Sequence, residues 1–283
     1  MVNITFWGVR GSTPCPCDAN QRYGGNTACV SVEAPGQDPI LFDLGTGLRF
    51  FGDAIAEEGA FRGMALVTHL HWDHVQGLPF FVPINRPGAS LVVCGRNDEG
   101  TLEEAFDDFM RPPYFPVRHS DLCGEITFRD VADTEFEFGR AKVMVRNVPH
   151  TGATNGYRVE LDGFTIAYVS DHQEPVASDH IEPSVLELCA GADLVIHDAQ
   201  YEPHEFAAKS DWGHCTVAYA VRVAAAAGAK RLALFHHDPS HGDDVIDRLL
   251  VEARGHAIGT SLTEVMAAAE GVTVSLNLVE ATA

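Results

Sequence analysis

The alternation of apolar and polar positions divides this chain into many short segments. Apolar residues gather in brief runs bounded by Gly, Pro, Asp and Asn, which is the punctuation of strands and turns. Strands are predicted over 1–7, 27–33, 39–43, 64–67, 91–94, 125–128, 135–138, 141–148, 156–161 and 164–169. A helix is predicted from the glycine-rich turn at Gly45 and Gly47 to about Glu58, and an acidic one over 99–110. Helices 183–190, 215–227 and one from about 243 then alternate with strands 193–197 and 231–235. A run of strands followed by strand–helix alternation fits two face-to-face sheets with helices outside, an α/β sandwich. No repeat, low-complexity tract or linker divides the sequence, so residues 1–283 read as one domain.

Two stretches break the pattern. Arg111-Pro112-Pro113-Tyr114-Phe115-Pro116-Val117-Arg118-His119 carries three prolines, which exclude a helix or a central strand. Its adjacent aromatics suit a lid over a local apolar patch, a wall of a substrate pocket that includes Tyr114, or a dimer contact. The other stretch is Thr68-His69-Leu70-His71-Trp72-Asp73-His74, which follows the buried strand Met64-Ala65-Leu66-Val67. An extended tip puts His69 and His71 on one side. The turn that follows brings Asp73 and His74 back toward a neighbouring point. Imidazole nitrogens and carboxylate oxygens in that density are ligands for zinc, and also for manganese or iron.

Charge and cysteine content narrow the picture. Net charge is −21, from 19 basic and 40 acidic residues, and so acidic a surface is expected to repel long nucleic acids. A small anionic substrate remains compatible with it, because bound cations reverse the field locally. No apolar run approaches the length that crosses a bilayer, and the N-terminus lacks the features of a signal peptide, so a cytoplasmic protein without a membrane partner is expected. The seven cysteines are odd in number, and only Cys15 and Cys17 form a close pair, so all seven read as reduced thiols.

The string His69-x-His71-x-Asp73-His74 resembles the metal-binding signature of the metallo-β-lactamase superfamily. That resemblance implies an αββα sandwich with metals at one edge, and further stations downstream. His150, after the strand ending at Val148, fits the third histidine; Asp171, after the strand ending at Val169, fits the carboxylate that bridges two metals. Arg231-Leu232-Ala233-Leu234-Phe235-His236-His237-Asp238-Pro239 fits the last station, and the family's Leu-x-His-x-x-Pro ending places the ligand at His236 rather than His237. The resemblance therefore implies two divalent cations, zinc first, with manganese or iron as alternatives. One would take His69, His71, His150 and Asp171; the other would take Asp73, His74, Asp171 and His236. A hydroxide shared between them is the implied nucleophile. Asp43, ahead of the glycine-rich turn, matches a residue that braces the metal loop in the family, although that turn also suits an anion cradle.

Trp212-Gly213-His214-Cys215-Thr216 resembles the His-Ser-Thr element of the superfamily's phosphodiesterase branch, with Cys215 in place of Ser. It implies that His214 touches the substrate and assists the departing oxygen, with Asp73 as the second catalytic residue. Asp198 and Tyr201 are candidates to line the site, His172 has no assigned role, and Arg10 is a candidate phosphate contact on the first loop. The branch includes tRNA 3′-end nucleases, which carry an RNA-binding arm between the third histidine and the bridging aspartate. Only residues 151–170 lie there in this chain, filled by a turn and two strands. The expected substrate is therefore a small phosphodiester, a cyclic nucleotide foremost, and relatives in the branch imply a homodimer. An ester, lactone or thioester hydrolase on the same metals is the alternative enzyme, and a nucleotide sensor that does not cleave is the alternative from another class.

Overall fold

Two seven-stranded sheets form the centre of the computed structural model, which describes residues 1–55, 59–176, 178 and 180–277. The first sheet is made of β1 (Val2–Gly8), β2 (Cys29–Ala34), β3 (Gln37–Phe42), β4 (Arg62–Leu66), β5 (Ser90–Gly95) and β6 (Glu125–Asp130) in that order, with β14 (Thr273–Leu276) beside β1. The second runs from β7 (Glu135–Phe138) through β8 (Ala141–Asn147), β9 (Asn155–Leu161), β10 (Phe164–Val169), β11 (Leu194–Asp198) and β12 (Arg231–Phe235) to β13 (Glu264–Ala267). This is the αββα arrangement expected from the pattern.

Each sheet has an antiparallel half and a parallel half. Strands β3 to β6 run parallel, and so do β10 to β13. The parallel halves need crossovers, and these supply the helices: α1 (Leu48–Ala54) between β3 and β4, α2 (Trp72–Val75) and then α3 (Leu102–Phe109) around β5, α4 (Pro183–Cys189) before β11, α5 (Pro203–Ala208) and α6 (Val217–Ala226) before β12, and α7 (Asp243–His256) before β13. Parallel strands deliver their carboxyl ends to one edge of a sheet, which is where such folds place their ligands.

The inner faces of both sheets share one apolar layer that includes Ile4, Phe6, Phe42, Leu66, Tyr168 and Phe235. Phe42 and Tyr168 stack across the two sheets with ring centroids 4.6 Å apart. The outer face of the second sheet is covered by the Ala- and Val-rich side of α6 together with α4 and α7, and that of the first sheet by α1 and α3. The acidic helix begins at Leu102 because Thr101 and Glu104 close a reciprocal cap: the Glu104 N–H donates to Thr101 Oγ1 and the Thr101 N–H donates to the Glu104 carboxylate. Thr216 caps α6 by accepting the Tyr219 N–H on Oγ1, so that helix starts at Val217. The helix expected to reach Glu58 ends at Ala54, and residues 56–58 lie outside the described ones.

Among the described residues, α5, β13 and β14 depart from the expected α-helices and strands. The run Glu264-Val265-Met266-Ala267 leads into alanines and reads as helix by propensity, but pairing with β12 makes it a strand. No helix among the described residues is long and apolar enough to cross a membrane.

Candidate metal centre

The carboxyl ends of the parallel strands converge on one edge. Asp43 follows β3 at φ +57, the histidine string follows β4, Asp171 follows β10, Asp198 ends β11 and His236 follows β12 at φ +57. His71 is the last extended residue before the short turn of α2, so Asp73 and His74 come round on that turn as the spacing suggested. His150, between β8 and β9, reaches the same edge.

These side chains form two donor groups that share one carboxylate. In the first, His69 Nε2 lies 2.8 Å from His71 Nδ1, and His150 Nε2 lies 3.4 Å from the same atom. His69 Nε2 and His150 Nε2 are 3.8 and 3.7 Å from Asp171 Oδ2. In the second, Asp73 Oδ2 lies 3.2 Å from both His74 Nε2 and His236 Nε2. Asp171 Oδ1 is 3.3 Å from His74 Nε2 and 3.5 Å from His236 Nε2. Ligands about 2.0–2.2 Å from a tetrahedral zinc ion sit roughly 3.3–3.6 Å from one another, which is the scale of both groups. The residues fit a cation pair by a second criterion. His74 Nε2 and Asp171 Oδ1 are buried and make no hydrogen bond, and a shared cation is the partner their chemistry calls for.

The outer atoms of the histidines are tied down. His74 donates from Nδ1 to Asp43 Oδ2 at 2.8 Å, leaving Nε2 for a cation. Asp43 also accepts the Thr68 N–H and hydroxyl and the Tyr168 hydroxyl, so it braces the loop and is not part of an anion cradle. Because the Thr68 hydroxyl gives its proton to Asp43, its oxygen accepts from His69 Nδ1 at 3.0 Å. His150 donates from Nδ1 to the Gly213 carbonyl at 2.7 Å, and His236 from Nδ1 to Gln200 Oε1 at 2.9 Å. Asp73 Oδ2 accepts the main-chain N–H of Ser12 at 2.7 Å.

Electrostatics agree with this tautomer pattern in the first group. At His74, by contrast, burial is outweighed by the carboxylates of Asp73, Asp171 and Asp43, which raise the pKa well above the usual histidine value, so that without a cation its Nε2 holds a proton. Burial lowers the pKa of His69, His71 and His150, which favours the neutral imidazoles that bind metal. Burial alone would raise the Asp171 pKa, but His236, His74, His69 and His150 outweigh it and hold the group ionised.

His214 stands against this cluster. Its ring stacks on His236 at 5.0 Å and lies 5.3 Å from His150. It donates from Nδ1 to Asp198 Oδ2 at 2.8 Å. Burial lowers its pKa, yet Asp198, their hydrogen bond, Asp171 and Asp73 together raise it above the usual histidine value. Asp198 is itself fixed by the His172 N–H on Oδ2 and the Gln200 N–H on Oδ1. The pair is a histidine oriented by a carboxylate, with Nε2 as the position of its mobile proton.

The remaining candidates sort differently. His237 donates to the Ala268 carbonyl at 3.0 Å, and burial pushes its pKa down to about 3. The left-handed backbone at His236 turns the two neighbouring rings apart. His172 donates from Nδ1 to His197 Nε2 at 3.0 Å, in a buried layer behind Asp198. Tyr201 is buried with its ring 5.7 Å from His214. Tyr114 is not brought to the centre: it is 77% exposed on the proline-rich loop, and among the described residues no metal-facing side chain bonds to it. The loop turns at Arg111, whose carbonyl accepts from the Tyr114 and Phe115 N–H groups, and Phe115 packs edge-on against Phe80.

Arg10 is also corrected. It is fully buried, and its guanidinium donates to the carbonyls of Gly24, Asp238 and His241 at 2.7, 3.1 and 2.6 Å. It braces the first loop against the segment after β12 and does not reach toward a phosphate. Arg10→Ala is expected to lower unfolding free energy by about 3 kcal/mol, since two buried carbonyls and one partly buried one lose their donor. Urea unfolding measures this, and KM at a temperature where the variant is folded is expected to stay unchanged.

Residues 40–237 match the family model described as a beta-lactamase superfamily domain. A ribonuclease Z of Haloarcula marismortui is 27% identical over 297 aligned residues, covering 89% of this chain and 91% of that one. The human tRNase Z short form superposes with a TM-score of 0.66 at 22% identity, covering 98% of this chain and 100% of the other. A diphosphatase of the PhnP family superposes with a TM-score of 0.70 at 19% identity, covering 98% and 99%. The ribonuclease relatives overturn the expectation that long nucleic acids are excluded. The physical reason is that net charge sums the whole surface, whereas a bound strand meets the local field within about 8 Å, the screening length in physiological salt.

Proposed function

This chain belongs to the β-lactamase superfamily, and from that premise and the geometry above we propose that it is a two-metal phosphodiesterase. The observation that carries the reading is the division of Asp171, with Oδ1 facing His74 and His236 and Oδ2 facing His69 and His150. One carboxylate shared between two donor groups would hold two cations side by side, the arrangement that clamps a phosphoryl centre. Zinc is the first candidate for both positions. Two divalent cations bound there supply Lewis-acid polarisation of a phosphoryl oxygen and activation of water near neutral pH.

The chain's own residues do the rest. Asp73, whose Oδ2 accepts the Ser12 N–H and lies 3.2 Å from His74 Nε2 and His236 Nε2, keeps a carboxylate where an attacking oxygen would lose its proton. His214 holds Nδ1–H on Asp198 and carries its exchangeable proton on Nε2, from which it protonates the departing alkoxide. Asp198 fixes the ring orientation and stabilises its charged form.

We place cyclic nucleotides first among substrates. Between His150 and Asp171 the chain makes only β9, the turn at Asp162 and Gly163, and β10. No element there extends beyond the sheet edge to grip a macromolecule, which supports a substrate enclosed by the site's own loops. The second reading is cleavage at an RNA 3′ end, favoured by the ribonuclease Z relatives that align along nine-tenths of the chain. A side-by-side assay of zinc-loaded protein on 2′,3′- and 3′,5′-cyclic nucleotides and on a 3′-extended tRNA separates them. Faster turnover of a cyclic nucleotide is expected; cleavage of the RNA alone would select the second reading.

A further inference from the structure

Two glycines lie against the candidate ligands, each on a different donor group. A Cβ on Gly11 would stand 2.4 Å from Cε1 and Nδ1 of His236, and one on Gly213 would stand 2.2 Å from Nδ1 of His150. Resting on the two-metal reading above, we propose that Gly11 and Gly213 are positioning residues. Each keeps room for one ligand ring and sets the affinity of one cation position independently of the other.

Neither side of these contacts can yield cheaply. His236 is held at Nδ1 by Gln200 and lies between the rings of His74 and His214. Gly11 is fixed by its N–H on the His237 carbonyl at 3.0 Å, and the next residue, Ser12, at φ +61, gives its N–H to Asp73. The Gly11–Ser12 loop therefore touches two donors of the second group and none of the first group's histidines. Gly213, on the loop before α6, accepts from His150 Nδ1 and donates its own N–H to Gln173 Oε1 at 2.8 Å. It touches the first group only. Its φ of +93 adds a backbone reason for glycine, whereas the contact is the sole reason at Gly11.

A methyl at either place displaces one ring from its ligand position. Asp171 and the other donors stay where they are. The effect is steric and local, so the two positions separate.

The test is a zinc titration of chelated protein with metal alone, followed by calorimetry and by counting bound equivalents. Wild type is expected to take two. Gly11→Ala and Gly213→Ala are each expected to keep one equivalent at wild-type affinity and weaken the other roughly 10- to 100-fold, the scale found for residues that orient ligands. Double variants identify the position lost. G11A/H236A is expected to titrate as H236A alone, because the obstructed ring is gone, while G11A/H150A loses both equivalents. Gly152→Ala is the strain control: its φ is +90 with nothing within 4 Å of a Cβ, and it is expected to keep both.

Two wild-type equivalents in Gly11→Ala, equal weakening of both, or additivity of G11A with H236A would overturn the inference. If Gly11→Ala does not fold, recovery of folding in G11A/H236A supports it and failure to recover overturns it. Fewer than two equivalents in the wild type would instead bring down the two-cation reading on which it stands.

Discussion

Asp171→Ala is expected to release both cations and to lower hydrolysis by at least about 10³-fold. Every other candidate ligand serves one donor group; Asp171 serves two, through different oxygens. Losing a single electrostatic donor from an active site already costs about 10²–10³ in turnover, and here the shared anion of both positions is lost. The same change leaves His69, His74, His150 and His236 packed around a site whose negative charge has fallen by one. Metal counting after dialysis against trace zinc is the direct check. Asp171→Asn keeps one acceptor oxygen and is expected to hold one cation weakly. Two tightly bound cations in Asp171→Ala would mean that the carboxylate does not bridge.

His214→Ala is expected to lower kcat by about 10²–10⁴ while metal content stays at two. The side chain stacks on His236 and bonds to Asp198, yet it belongs to neither of the two four-residue donor groups. A general acid has a signature that a structural residue lacks. The loss should be large for a ribose alkoxide leaving group, which needs its proton, and small for p-nitrophenolate, which leaves readily without one. Asp198→Asn should follow the same pattern with a smaller loss, since the ring stays and only its orientation and charge stabilisation weaken. Loss of metal in His214→Ala, or equal loss on both leaving groups, would remove it from the proton-transfer role.

The parts of this molecule that local chemistry dictates were legible in the chain. His69 through His74 lie in one short string, and the apolar runs ending before His150, Asp171 and His236 mark strand ends without ambiguity. Asp43 and Asp198 were visible for the same reason. What escaped was set by long-range packing. Ser12 meets Asp73 through a main-chain N–H, which no side-chain pattern records. Gln200 holds His236 from two residues beyond Asp198, between two residues that read as candidates to line the site, so its signal was present but not specific. Arg10 was misjudged because a cation near a metal edge suggests phosphate. Two of its three carbonyl partners come from segments more than two hundred residues away, at Asp238 and His241. The acidic balance misled for a related reason: composition has no position, and a binding edge does.

The central claim is that two cations held by this edge hydrolyse phosphodiesters. Hydrolysis of bis(p-nitrophenyl) phosphate tests it most directly, measured as isolated, after chelation, and after restoring zinc or manganese. Activity that disappears on chelation and returns with two equivalents of metal is the predicted result. No release of p-nitrophenol by a protein shown to hold two cations would contradict it, and would turn attention to carboxylic esters and lactones on the same site.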